Sequence, residues 1–135
     1  MTPAVLLATG GRDFVGGPEH NAFLDAIQRE HRLEVLIHGG ATGADTFADD
    51  WGWHLAHPKP AVWPIPAPWR VGRGAGPRRN EFMLRVLLDY ARSFDAEPIV
   101  VAFPGGRGTA HMVKVARAKG VRVEVYALAL REGSG

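Results

Sequence analysis

Cysteine is absent from the 135 residues of the chain, which excludes disulfide bridges and thiolate metal ligands. Long apolar runs are also missing, because no stretch approaches the roughly 20 residues that cross a bilayer. The first residues lack the basic-then-apolar pattern of a secretion signal. We therefore expect a cytoplasmic protein without a membrane partner.

The excess of positive charge is small. A formal net charge of +2 disfavours the broad basic surface that binds nucleic acid. Lysine is rare: only 3 of the 16 basic residues are lysine, and the other 13 are arginine. The planar guanidinium suits phosphate and carboxylate ligands. Several arginines stand in or beside glycine-rich connections, namely Arg12, Arg70, Arg73, Arg78, Arg79 and Arg107.

Short apolar runs alternate with helical patterns along the chain. Strands are predicted at 4–9, 34–38, 61–65, 99–103 and 121–128, and helices at 18–31, 43–56, 77–92 and 108–119. Such an alternation favours a parallel sheet covered on both faces. The predicted fold is α/β, a Rossmann-like three-layer sandwich with a mostly parallel five-stranded sheet. It forms one domain over 1–130, followed by a frayed tail at 131–135.

Local signals refine this prediction at a few positions. The prolines around 61–65 indicate an edge strand. Steps of four residues place Phe47, Trp51 and Leu55 on one apolar face of the second helix. Trp51 and Trp53 cannot both face the core, so one of them should meet solvent. Gly120 suits the C-terminus of the fourth helix.

Glycine-rich loops follow four of the strands, at the edge where open parallel sheets bind ligands. The loop before the last helix is the most informative, because glycines between a buried strand and a helix present bare N–H groups to phosphate. Its residues are Pro104, Gly105, Gly106, Arg107, Gly108 and Thr109. The other loops contribute Gly10, Gly11, Arg12 and Asp13, then Gly39, Gly40, Thr42, Gly43 and Asp45, and then Arg78, Arg79 and Asn80. Together they predict a site for a nucleotide-type small molecule.

Specific roles follow from residue chemistry. The backbone amides of the second and fourth loops would hold phosphate, Arg79 and Arg12 would supply charge, and Asp45 or Asp13 would contact ribose hydroxyls. Other interpretations remain open for single residues. Thr42 could cap the second helix with Asp45 as the acid of a capping box, and Trp69 could stack on a base or pack.

Three further polar residues favour structural interpretations. His38 is interpreted as a satisfied polar residue at a strand end, and His111 as a helix-surface or packing residue rather than a general base. Asp49 and Asp50 fit a solvated helix face. No grouping has metal-ligand spacing, so we predict no metal site.

The ordered set of four motifs resembles the SLOG superfamily, which includes the Lonely Guy phosphoribohydrolases and the Smf/DprA DNA-processing proteins. Residues 10–14, 39–45 and 76–83 are most similar to its YspA-like branch. The resemblance covers residues 4 to about 126. It implies a Rossmann-like sheet and ligand binding as a sensor or effector, with no cofactor beyond a nucleotide ligand.

The same resemblance implies alternatives. Lonely Guy enzymes carry a Pro-Gly-Gly-x-Gly-Thr-x-x-Glu motif whose glutamate helps to split an N-glycosidic bond, and Met112 stands at that position here. Arg79 matches their catalytic arginine, and Asn80 replaces a lysine. Hydrolysis of nucleoside monophosphates would need a substitute acid, with Glu81, Asp45 and Asp13 as candidates. Single-stranded nucleic-acid binding is a third possibility, disfavoured by the small net charge.

Self-association is also expected. The helix at 77–92 has more apolar surface than one sheet contact covers, and relatives pair through this region. We predict a homo-oligomer, a dimer or higher.

Overall fold

Five parallel strands form the centre of the protein. A computed structural model describes residues 2–67 and 74–126, and its sheet has the strand order β3-β2-β1-β4-β5. Every neighbouring pair of strands is parallel. The predicted α/β fold with a Rossmann-like three-layer arrangement is confirmed, and the sheet is wholly rather than mostly parallel.

The elements alternate as the sequence predicts. The strands are β1 Thr2–Thr9, β2 His31–His38, β3 Ala61–Pro64, β4 Glu97–Ala102 and β5 Arg122–Val125, and the helices are α1 Pro18–Glu30, α2 Ala44–Asp50, α3 Ala75–Phe94 and α4 Arg107–Ala118. The edge position predicted for the third strand is confirmed. The predicted tail, the end of the last predicted strand and Trp69 lie outside the described residues.

Each face of the sheet has its own hydrophobic core. Successive residues of β1 point to opposite faces, so Leu6 packs with α1 and α2 while Leu7 packs with α3 and α4. Both leucines have no exposed surface. Burial on both faces explains why the central strands are continuous apolar runs rather than alternating ones.

The order of the strands places a switch point between β1 and β4. The chain moves from β1 outward through β2 to β3, and then crosses to β4 on the other side of β1. Loops that leave β1 and β4 therefore diverge at the same edge of the sheet. Ligands of open α/β sheets bind in such a crevice.

The second helix departs from the sequence prediction. It ends at Asp50 and continues as a π-turn, Trp51–Leu55, in which the Ala56 N–H donates to the Trp51 carbonyl at 2.8 Å. The wider turn rotates the following residues relative to α-helical spacing. As a result Trp51 is fully buried but Leu55 is 52% exposed, so the prediction that Leu55 shares the apolar face is wrong.

Other boundaries differ by a few residues. β2 begins at His31 because it pairs with β1 from Thr2 onward, and α3 begins two residues before Pro77. The left-handed conformation of Gly120, with φ of 73°, confirms a glycine after the end of α4. Trp53 is 53% exposed, which confirms that one of the two tryptophans meets solvent.

Candidate functional site

The four glycine-rich loops meet in one cavity at the carboxyl edge of the sheet. Its volume is about 570 Å³, within the range of small-molecule sites. The lining residues are Thr9, Gly10, Gly11, Arg12, Ala41, Asp45, Gly76, Pro77, Arg79, Asn80, Met83, Gly106, Arg107, Gly108, Thr109 and His111. Each of the four loops therefore contributes to the same wall.

Close backbone contacts hold the first loop between the second and the fourth. The Gly11 N–H donates to the Pro104 carbonyl at 2.8 Å, and the Gly11 carbonyl accepts from the Ala44 N–H at 3.0 Å. A Cβ on Gly11 would lie 3.0 Å from the Pro104 oxygen, and one on Gly43 would collide with the Gly11 and Arg12 carbonyls. These two glycines thus serve loop packing.

Gly106 and Gly108 have a different environment. Among the described residues, no atom lies within 4 Å of a Cβ added to either, and neither has a positive φ. Gly106 is the N-cap of α4, and within 2–67 and 74–126 no side chain caps the first turn of this helix. The N–H groups of a first turn lack partners within their own helix. This end of α4 therefore presents open backbone to the cavity.

Arg79 enters the site from the first turns of α3. Its Nη1 donates to the Gly39 carbonyl at 3.0 Å, and a Cβ on Gly39 would collide with this guanidinium and lie 2.8 Å from the Asp45 carboxylate. Burial lowers the pKa of Arg79, an effect reinforced by nearby Arg12 and opposed by Asp45. The cavity thus holds a guanidinium in a partly desolvated position.

Asp45 is a buried carboxylate in the cavity wall, with 7% of its surface exposed. Burial raises its pKa, although the Ala41 N–H and the positive charge of Arg79 oppose this effect. The Ala41 N–H donates to Oδ2 at 3.1 Å. Thr42 does not cap α2, because its hydroxyl donates to the Arg12 carbonyl at 3.2 Å and Gly43 is the N-cap. The capping-box interpretation is therefore wrong.

His38 braces the second loop. Its Nδ1 accepts the Gly40 N–H at 3.0 Å, so the Nε2–H is left to donate to Asp49 Oδ1 at 2.8 Å. This confirms the interpretation of His38 as a satisfied polar residue. Asp49 is only partly solvated, since this bond ties it to the strand end, whereas the side chain of Asp50 is 65% exposed.

Asn80 connects the two helices that flank the cavity. It is 3% exposed on α3, and its Nδ2 donates to the Gly108 carbonyl of α4 at 3.1 Å and lies 3.2 Å from His111 Nδ1. His111 also lines the cavity. His111 was not among the binding residues predicted from the sequence, although its place three residues after Gly108 puts both on one helix face.

The remaining candidates lie around the cavity rather than in its wall. Glu81 is exposed on α3 and lines a separate surface depression with Leu84 and Arg85. Other candidates absent from the lining are Asp13, Gly39, Gly40, Thr42, Gly43, Arg78, Pro104 and Gly105. Met112, at the position of the Lonely Guy glutamate, has no exposed surface and packs in the core of the α3–α4 face.

Within 2–67 and 74–126, no group of three or more His, Asp or Glu residues is placed to hold a metal ion. Over the same ranges, none of the helices has the length and hydropathy to cross a bilayer.

Comparison with known proteins gives a family and a relative. Residues 4–58 match the model of the YspA, cpYpsA-related SLOG family. The chain is 35% identical over 108 residues to the Gene 61 protein of Mycobacterium phage D29, an alignment that covers 76% of this chain and 79% of that protein. No solved structure matches.

Proposed function

The chain belongs to the YspA, cpYpsA-related SLOG family, and from this premise we propose that its cavity binds a phosphorylated nucleotide or nucleotide derivative. Family membership is compatible with nucleotide-related binding. The observation that carries the proposal is the uncapped N-terminus of α4, which opens into a cavity lined by Arg12, Arg79 and Arg107.

The first turn of α4 would hold the phosphate. The N–H groups of a first turn, which have no partner within their own helix, and the positive end of the helix dipole attract an anion. Gly106 and Gly108 support this assignment, because neither chain packing nor a positive φ requires glycine there. A ligand that must approach the backbone closely supplies the reason.

The sugar would lie toward Asp45. A ribose hydroxyl is a donor that a carboxylate accepts well, and Asp45 is the acidic residue among the described residues of the cavity lining. Asp13 is exposed and outside that lining. Of the two acids proposed from the sequence for ribose contact, the cavity thus favours Asp45.

A thermal-shift screen of nucleotides, dinucleotides and ADP-ribose-type compounds tests the proposal. A ligand at 100 times its dissociation constant should stabilise the protein by about 2.7 kcal/mol. Gly108→Ala should raise the melting temperature of the free protein, since alanine is favoured over glycine in a helix by about 1 kcal/mol. The same variant should lose most of the ligand-induced shift, because its methyl group occupies the space of the phosphate.

Arg79→Ala should also reduce the shift, since it removes a cavity cation. Arg85→Ala is the matched control: it removes an exposed arginine of the same helix that lines the other depression. The proposal is contradicted if no compound stabilises the wild type, or if Gly108→Ala retains full binding.

A second candidate function, hydrolysis of nucleoside 5′-monophosphates, is favoured by one observation. Asp45 is a buried acid with a raised pKa in the cavity wall, and such groups are common among general acids and bases. Release of free base by the wild type, reduced in Asp45→Asn by a far larger factor than nucleotide affinity, would support turnover. The absence of release from a broad monophosphate panel would leave binding alone.

We also propose self-association through the surface formed by Trp63, Tyr90 and Phe94. These rings join the edge strand β3 to α3: Trp63 packs edge-on against Tyr90 at a centroid distance of 5.2 Å, and Tyr90 stacks on Phe94 at 6.2 Å. Trp63 and Phe94 are 49% and 45% exposed. Contiguous exposed aromatic surface is typical of protein interfaces.

A further inference from the structure

The orientation of the Asn80 amide is determined from two sides. Arg79 Nε donates to Asn80 Oδ1 at 3.2 Å, and Asn80 Nδ2 donates to the Gly108 carbonyl at 3.1 Å. A guanidinium can only donate and a carbonyl can only accept. Exchanging the amide oxygen and nitrogen would therefore place donor against donor and acceptor against acceptor.

This orientation determines which nitrogen of His111 carries the proton. Asn80 Nδ2 is a donor and lies 3.2 Å from His111 Nδ1, so Nδ1 must accept. In a neutral imidazole with Nδ1 as the acceptor, the hydrogen is on Nε2. Nε2 makes no hydrogen bond to the part of the chain that the structure describes.

The position of His111 directs its ring toward the open end of α4. His111 is the fifth residue of this helix, and helical side chains lean toward the N-terminus over the preceding turn. That turn holds Gly108, whose side of the helix is open space. His111 and Gly108 line the same cavity.

We propose that His111 is a binding residue of this cavity, which donates a hydrogen bond from Nε2 to a phosphate oxygen of the ligand in the tautomer set by Asn80. The inference rests on the proposed function and deepens it. The phosphate would then accept hydrogen bonds both from backbone N–H groups of α4 and from Nε2 of His111. Asn80 acts as a positioning residue, since it touches His111 rather than the ligand.

The tautomer can be measured without any ligand. Nitrogen-15 spectra of the histidine rings, with His111 assigned from its loss in His111→Phe, should show the proton on Nε2. In Asn80→Asp the neighbour of Nδ1 becomes an acceptor, so the ring proton should move to Nδ1. A proton on Nδ1 in the wild type would overturn the inference, whether or not Asn80→Asp folds.

The contact itself is tested by titrating inorganic phosphate, 5′-AMP and adenosine. His111→Phe keeps an aromatic ring but removes the donor, and should weaken phosphate and AMP binding by about tenfold to a hundredfold. Adenosine binding should be unchanged. His54→Phe is the matched control, since His54 is a helical histidine whose side chain is 72% exposed.

Three outcomes separate the two proposals. If amide signals of Gly106 to Thr109 move on titration while the His111 ring signals do not, the nucleotide site stands and the His111 contact is wrong. If His111→Phe weakens adenosine as much as AMP, the contact is not to phosphate. If none of the three compounds moves any cavity signal, the phosphate site and the His111 contact both fail.

Discussion

Asp45 and Arg79 are two side chains of opposite charge in the wall of one cavity, and both are partly shielded from water. Burial raises the pKa of the carboxyl and lowers that of the guanidinium, so each group is driven toward its neutral form. Their mutual attraction opposes both shifts but does not reverse them. A partly desolvated pair of this kind is better suited to binding a polar ligand than to stabilising the fold.

Asp45→Asn should make the stability of the protein less dependent on pH. A raised pKa means that the folded state binds the Asp45 proton more tightly than the unfolded chain does. The free energy of unfolding therefore falls as pH rises above the ordinary value of 3.8. The uncharged variant should be at least as stable as the wild type at pH 7, and its advantage should shrink as pH approaches 4.

Denaturant unfolding at several pH values measures this difference. Asp50→Asn serves as the control because the side chain of Asp50 is 65% exposed on the following turn, and it should show no comparable trend. A variant at Asp45 that loses stability relative to the wild type as pH rises from 4 to 7 would contradict the argument.

At the scale of the elements, the N-cap position of the helices beside the cavity holds glycine rather than a residue with a capping side chain. Gly43, Gly74 and Gly106 are the N-caps of α2, α3 and α4, and no side chain of the described part of the chain caps any of the three. Residues from the first turns of these three helices line the cavity. A missing cap typically costs about 1 kcal/mol. A ligand that accepts from the open N–H groups would offset this cost in the bound state.

α1 does not contribute to the cavity lining, and it too begins after a glycine, Gly17, with no side-chain cap among the described residues. The Gly17 N–H donates to Nδ1 of His20 at 2.9 Å. His20 is 8% exposed and packs against Phe14, Phe103 and Tyr126. Starts without a side-chain cap are therefore common to the four described helices, and only α2, α3 and α4 contribute first-turn residues to the cavity lining.

Two neighbouring tryptophans of the π-turn should differ in how much their substitution lowers the free energy of unfolding. Trp51→Ala should destabilise the protein by about 3–5 kcal/mol, because it empties a buried site and leaves Asp25 without the Nε1–H that donates to it at 3.0 Å. Trp53→Ala should change the free energy of unfolding by no more than about 0.5 kcal/mol. Equilibrium unfolding followed by circular dichroism measures both.

Equal costs for the two substitutions would contradict the burial of Trp51 and the exposure of Trp53. The π-turn itself explains why the prediction of Leu55 as a core residue failed. Regular spacing was assumed through a segment where the Ala56 N–H bonds five residues back.

At the scale of the whole molecule, the surface of Trp63, Tyr90 and Phe94 lies beside the edge strand β3, where a second copy could cover it. If the surface of Trp63, Tyr90 and Phe94 is an interface between copies, the sedimentation mass should exceed that of one 14.6 kDa chain at micromolar concentration. Trp63→Glu should shift the mass toward the single chain, because it places charge in an apolar contact. Trp53→Glu, at an exposed tryptophan elsewhere, should leave the mass unchanged.

A mass equal to one chain for the wild type would contradict self-association without affecting the nucleotide proposal. The cavity lining does not include Trp63, Tyr90 or Phe94. Oligomeric state and cytoplasmic location thus stay predictions that are separate from the site.

The sequence by itself determined the α/β class, the parallel strands, the family and the loops that line the cavity. These features depend on local periodicity and on glycines at strand ends, which are visible without a structure. Ten of the loop residues proposed from the sequence line the cavity: Gly10, Gly11, Arg12, Asp45, Arg79, Asn80, Gly106, Arg107, Gly108 and Thr109.

Only the tertiary structure decided which side chains meet. Asn80 and His111 lie 31 positions apart, and their contact depends on how α3 and α4 pack on one face of the sheet. The sequence likewise left Glu81, Asp45 and Asp13 as candidates for a substitute acid, and the structure places Glu81 in a separate depression away from the cavity. Local patterns determine the elements, whereas packing across the sheet determines which groups share a site, because contacts between elements have no period in the sequence.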